Sequence, residues 1–265
     1  VDVMFKLLLA NKIRLKKSKL FWSGVFITVG YCLLLLMLNY IEMISHVGNS
    51  IMLVDWYLLA PFSVLSFFCP IFCSMFIGTE YSDGTIRNRL VVGHTRKNIY
   101  LSNFITVSFA CIIITLIASL VVILFYAILF GWNISNSMKF ILYYFSGLLM
   151  LIAMSALFSL IAMLISNKSS SVLVCIMICL SSFVLENIVK TWIFNGYDGG
   201  ILPKAKIFHS QFLLEFLYDV IPMGQCFQIT GEMVFHPFRL PLYSLLFIII
   251  TLVCGIYFFE KKDLK

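Results

Sequence analysis

An all-α polytopic membrane protein is the fold class predicted here, and three observations predict it. Hydrophobic residues make up 62% of the chain and charged residues 12%, with a mean hydropathy of +1.02; soluble domains carry roughly 25% charged residues. Long uncharged runs alternate with short charged segments: 22 residues between Lys19 and Glu42, 24 between Asp55 and Glu80, 28 between Lys139 and Lys168, and 20 between Arg239 and Glu260. About 20 residues at ~1.5 Å rise cross a ~30 Å hydrocarbon core, so each run is long enough for a span. Finally, the cations crowd into alternate connecting segments, the bias of chains that cross a bilayer repeatedly.

Taken in order, residues 1–19 mix Met4, Phe5, Leu7, Leu8, Ile13 and Leu15 with Lys6, Lys12, Arg14, Lys16, Lys17 and Lys19. This composition predicts an amphipathic interfacial helix. The first span, about 20–40, has an uncharged run longer than the ~7–15 residues of a signal-peptide core and no small-x-small site after it, so it is expected to remain as an anchor. The second, about 58–78, contains Pro61 and Pro70. A proline inside a helix leaves a carbonyl without its amide, which places a kink near Pro70, beside Cys69, Cys73 and Ser74. Such a kink serves packing or lines a pathway, and Pro70, Cys73 and Ser74 are assigned to a translocation pathway on that ground.

The third span, about 105–130, ends at the turn signals Gly131, Asn133, Ser135 and Asn136. The fourth, about 140–165, and the fifth, about 171–189, are joined by the polar turn Ser166–Ser170 and form an antiparallel pair. Ser181, Ser182 and Glu186 are the polar groups of the fifth span and join the pathway assignment. Glu186 lies about 22 Å from the inner boundary at ~1.5 Å per residue. With Asn187 and Lys190 it reads as the wet outer end of that span, a substrate contact being the alternative. The outer loop, 190–239, has 50 residues rich in apolar groups. One or two short helices dipping into the outer leaflet are expected there, with breaks at Gly199-Gly200, Pro203 and Pro222-Met223-Gly224. The sixth span is about 240–259. The whole chain, 1–265, reads as one transmembrane domain without an internal repeat.

The net charge of +7 does not point to nucleic acid, because 14 of the 19 Lys and Arg lie in the N-terminal segment, the second-to-third and fourth-to-fifth connections, and the C-terminal tail. Those segments are therefore expected to face the cytoplasm, with both termini, and to meet anionic lipid headgroups. Seven of eight cysteines fall within spans and Cys226 stands alone in the outer loop, which excludes an outer disulfide framework. Cys69/Cys73 and Cys175/Cys179 have the i, i+4 spacing of a soft-metal pair, but small residues commonly fill packing faces in membranes, and no metal site is assigned. His46, His94, His209 and His236 all fall in loops. His209, Cys226 and His236 have no diagnostic metal spacing.

The segment 78–100 carries the functional argument. It runs Gly78-Thr79-Glu80-Tyr81-Ser82-Asp83-Gly84-Thr85-Ile86-Arg87-Asn88-Arg89-Leu90-Val91-Val92-Gly93-His94-Thr95-Arg96-Lys97 and on to Tyr100. Ser82 or Asp83 is expected to cap a short helix that Gly93 ends, with Ile86, Leu90 and Val91 on one face and Arg87 and Arg89 projecting elsewhere. Thr95 is expected to cap a second helix continuing into the third span. Such an element transmits force from a soluble partner; a basic loop that only sets topology is the plainer reading.

In this segment the chain resembles the membrane subunits of ABC transporters of the ABC-2 exporter type. In that family an acidic residue ends the second span, Gly-Thr opens a cytoplasmic coupling helix, and an Arg-led basic pair precedes the third span. The matching residues are Glu80, Gly84-Thr85 and Arg96-Lys97, with His94 where such proteins often have proline or a small residue. The layout of interfacial helix, six spans and enlarged last outer loop is similar too. The resemblance implies ATPase coupling through Glu80, Asp83, Gly84, Thr85, Ile86, Arg87, Arg89, Leu90, Arg96 and Lys97. It also implies two separate ABC ATPases that bind ATP and Mg, a second permease copy or related permease, and a place in the bacterial cell membrane. No cofactor is expected in this chain itself: no glycine is followed by lysine anywhere, so no phosphate-binding loop exists here.

An ion-coupled secondary transporter is the nearest rival, and it requires ionisable groups deep in the spans, where only Glu186 qualifies. An intramembrane enzyme lacks its motifs, since neither His-Glu-x-x-His nor Gly-x-Ser-x-Gly occurs. With 26 Phe, 12 Met and few charges in the spans, the interior suits an amphipathic or hydrophobic cargo. Similarity in size to lantibiotic-immunity and bacitracin-resistance permeases favours an antimicrobial peptide or peptide antibiotic.

Overall fold

The computed structural model describes residues 2–45, 53–131, 137–197, 204–231, 234 and 236–262, with their side chains except at 2–3, 194–197 and 204–211. All regular elements among the described residues are helices: α1 (Asp2–Lys17), α2 (Lys19–Ser45), α3 (Val54–Ser82), α4 (Thr85–Val91), α5 (Arg96–Phe130), α6 (Ser137–Leu164), α7 (Lys168–Tyr197), α8 (Lys204–Val220), α9 (Pro222–Thr230) and α10 (Arg239–Lys261). The helices long and apolar enough to cross a membrane are α2, α3, α5, α6, α7 and α10, one for each expected span. Each of them passes its expected span at one end or both. α5 begins at Arg96, where, as expected, Thr95 caps a helix that continues into the third span: its hydroxyl accepts the Asn98 amide at 3.4 Å. α7 extends to Tyr197.

The bundle is built around α3, which packs against α2, α5, α6, α7 and α9. Of its most apolar stretch 72% is buried, against 22% in α7 and α10, which present apolar side chains outward. Phe68, Phe72 and Phe76 stack successively at 5.9 and 5.5 Å along one side of α3 and meet Val107, Cys111 and Ile114 of α5. Lipid tails are as apolar as these side chains, so close contact and interhelical hydrogen bonds must hold the helices together. The Ser108 and Ser155 hydroxyls join α5 to α6 at 2.5 Å, as do Ser119 and Tyr144 at 2.8 Å.

α3 runs unbroken through Pro61 and Pro70. The Ser66 carbonyl, deprived of its usual amide by Pro70, accepts from the Cys179 thiol of α7 at 3.7 Å. Cys69 and Cys73 lie 3.7 Å apart, sulfur to sulfur, and both are buried and free. Among the described residues no three His, Cys, Asp or Glu side chains are grouped to hold a metal ion.

The helices expected between the fifth and sixth spans exist as α8 and α9, but α9 is not a surface element. It is wedged against α3, α6 and α7 with Met223, Gly224, Gln225, Cys226, Gln228 and Ile229 buried. Cys226, read as an outer-loop thiol, instead donates to the Phe62 carbonyl inside the bundle at 3.7 Å. Gly224, expected at a break, lies within α9, and Pro222 opens that helix at a position where its missing N–H costs nothing. Gly199, Gly200 and Pro203 lie outside the described residues, as does His46; the His209 side chain is likewise not described.

Candidate functional site

α3 ends two residues after Glu80, at Ser82. The chain then reverses through Gly84 in the left-handed region at φ 66°, so the short helix α4 opens without the Ser82 or Asp83 side-chain cap expected from sequence. The reason is that α3 continues further than anticipated: the Asp83 amide still closes on Thr79 O at 3.0 Å. Gly93, at φ 96°, ends α4 as expected. Its amide donates to Leu90 O, and the His94 amide donates to Arg89 O, both at 3.0 Å. This is a Schellman closure, and a proline at position 94 could not supply the second bond.

Glu80 is the centre of the site. Its side chain is fully buried, yet it pairs with Arg14 of α1, with Arg89 of α4 at 2.8 Å and with the amide of Asn103 of α5 at 2.5 Å. A second tier closes the network: Asn11 donates to Asn103 Oδ1 at 2.9 Å and accepts from Arg89 at 2.8 Å. Arg14 also donates to Phe76 O at 3.1 Å, and its guanidinium lies 3.7 Å above the Phe76 ring. Burial lowers the Arg14 pKa below its ordinary value, and the adjacent Glu80 carboxylate opposes that shift. Two guanidinium groups and an amide satisfy a carboxylate that would otherwise be prohibitively costly to bury. α1, α3, α4 and α5 are thereby tied at one point.

This arrangement corrects two expectations about α4. Arg89, expected to project away from the bundle, turns inward to Glu80. Val91, expected on the buried face with Ile86 and Leu90, is 81% exposed. A helix of two turns has one inward face, and Ile86, Arg89 and Leu90 fill it, leaving Arg87, Val91 and Val92 outside. Thr85 secures the start of α4 by donating to Glu80 O at 3.1 Å.

The basic pair sits elsewhere in the same end of the bundle. Arg96 donates to the carbonyls of Phe259 at 3.3 Å, Glu260 at 2.9 Å and Lys262, closing the C-terminus of α10. Lys97 meets Glu260 at 3.6 Å. Lys262 in turn donates to the Tyr81 hydroxyl at 3.0 Å and to Met163 O at 2.9 Å, and burial lowers its pKa to about 8. Asn11, Arg14 and Asn103 were not assigned from sequence. The available signal was an asparagine at the α4 end of an apolar span, without a partner near it in sequence.

The residues assigned to a pathway divide between two environments. Pro70, Cys73 and Ser74 are buried in α3, where the Ser74 hydroxyl donates back to Pro70 O at 2.7 Å. Ser181 is exposed on α7, whereas Ser182 lines a cavity of about 200 Å³ with Cys179, Phe158, Met223 and Phe247. Glu186, expected at a wet outer end, is fully buried because α9 folds over it. At Gly224 a Cβ would come 2.7 Å from Glu186 Oε2, so only glycine allows this approach. Among the described residues neither oxygen of Glu186 has a hydrogen-bond partner. Nearby, Asp219 accepts from Gln228 at 2.9 Å and meets His236 at 3.5 Å, and Ser244 donates to Gln225 at 2.6 Å.

Residues 7–186 match the sequence profile of a family described as ABC-2 family transporter protein. The chain belongs to that family. The match begins within α1, takes in the entire Glu80 network and stops at Glu186, before α8, α9 and α10. Comparison with curated proteins gave no match. Membership makes this ABC-2 protein a multi-pass transport subunit that works with ABC ATPase partners, and the expected fold class is borne out by its helices.

Proposed function

We propose that this chain is the membrane subunit of an ATP-driven ABC exporter in the bacterial cell membrane, with α4 and both termini on the cytoplasmic side. The observation that supports this best is the Glu80 network. It joins α4 to the central helix α3 while leaving Arg87, Val91 and Val92 outside for a soluble partner. Two ATPase subunits, holding ATP and Mg, engage α4 of this chain and of a second or related permease. Their closure pushes α4, and the Glu80 pairs carry that displacement into α3, α1 and α5, biasing a two-state bundle. The favoured cargo is an amphipathic or hydrophobic molecule, an antimicrobial peptide or peptide antibiotic, passing beside α3 and α7.

The test is reconstitution with the partner ATPase and measurement of coupled hydrolysis and peptide efflux. Arg87→Glu should abolish ATPase association without disturbing the bundle; unimpaired association and coupling would rule out α4 as the docking element. An ion-coupled carrier is the second reading, favoured by the unpartnered carboxylate of Glu186. Under the exporter reading Glu186→Gln retains most transport, and transport resists an uncoupler. Efflux that persists without ATP and stops with the uncoupler would decide for the carrier.

A further inference from the structure

We infer that the joint between α1 and α2 is a binding site for the phosphate group of an anionic membrane phospholipid. A cavity of about 310 Å³ opens there between α1, the start of α2 and the last turns of α3. Its walls are of two kinds. Arg14 and Lys17 supply cations on one side, while Leu20, Met75 and Phe76 form an apolar floor that leads toward the spans. Arg14 is held by Glu80 and Phe76 O and still keeps 30% of its side chain exposed. The exposed part of this guanidinium, beside Lys17, is where a phosphate oxygen can be met.

The depth of the cavity selects a lipid. α1 presents Phe5, Leu9 and Ile13 outward, as a helix lying in the interface does, and α2 begins its membrane crossing at Lys19. Trp22 is 47% exposed and donates from its indole to Lys16 O at 3.0 Å, the position of a ring at headgroup level. Exposed Lys16 and Lys19 add positive potential at the mouth. Asp83 is the one carboxylate lining the cavity, and it accepts a hydrogen bond from a headgroup hydroxyl such as that of phosphatidylglycerol. The phosphate then lies by Arg14 and Lys17, with an acyl chain along Leu20 and Met75. This site does not depend on the cargo or on the direction of transport.

The test uses the full chain with Trp22 as its single tryptophan, Trp56, Trp132 and Trp192 being replaced by phenylalanine, in bilayers of brominated phosphatidylglycerol mixed with phosphatidylcholine. Quenching of Trp22 should show a preference for phosphatidylglycerol that survives high salt, and Lys17→Gln should reduce it about fivefold. Lys6→Gln removes the same charge from an exposed position of α1 and should leave the salt-resistant preference intact. Equal losses in the two variants would mean a diffuse basic surface and would overturn the site, as would equal quenching by brominated phosphatidylethanolamine. Soluble glycerol phosphate should not displace the lipid; displacement would show a free-phosphate site instead. Circular dichroism of both variants checks that the helices are intact.

Discussion

Glu80 and Glu186 are both fully buried, one at the α4 end of the bundle and one beneath α9, and their surroundings are opposite. Glu80 is met from three different helices, by hydrogen bonds from Arg14 and Asn103 and by an ion pair with Arg89. Glu186 is approached closely by the backbone at Gly224 and, among the described residues, by no hydrogen-bond donor. A buried carboxylate with a full set of donors is a mechanical fastener, because every helix that supplies a donor must move with it or leave a charge unpaired. A buried carboxylate without donors is a strained position, and its free energy falls when the group is neutralised, hydrated or paired. The difference assigns rigidity to the α1–α3–α4–α5 junction and places a ready point of change under α9.

Stability measurements on the detergent-solubilised chain test this contrast, beginning with the substitution that should cost most. Glu80→Ala should cost about 3–5 kcal/mol, since two arginines lose their buried partner, and should appear as a large fall in Tm and in extraction yield. A variant as stable as the parent would show that the network does not fasten the helices. Glu186→Gln should move stability the other way, raising it by about 1–2 kcal/mol, because a neutral amide is less costly to bury than an unpaired carboxylate. A fall comparable with that of Glu80→Ala would mean that Glu186 holds a cation in the membrane. Arg87→Glu should shift stability by no more than about 0.5 kcal/mol, as an exposed substitution on α4. A larger loss would put Arg87 inside the fastener and blur the division between a packed inner face of α4 and an outer one.

The membrane spans were legible because a span is a local property: a run of apolar residues long enough for hydrocarbon identifies itself without reference to any neighbour. The Thr95 cap and the Gly93 stop were legible for the same reason, each being decided within a few residues. Failures came where partners are distant. Arg89 looked like a surface cation because its partner, Glu80, lies on another helix and the shared acceptor geometry is made by Asn11 and Asn103 from two more. Glu186 looked wet because nothing within its own helix covers it.

Composition and spacing alone determine that this chain crosses the bilayer several times and that the segment after α3 is a short amphipathic helix. These follow from the cost of exposing backbone and charge to hydrocarbon, which each stretch of sequence meets by itself. Which polar groups find each other across the bundle was decided only when the helices packed. Glu80 gained its three partners and Glu186 lost its exposure through contacts between elements far apart in the chain, and such contacts have no periodicity or local composition to betray them.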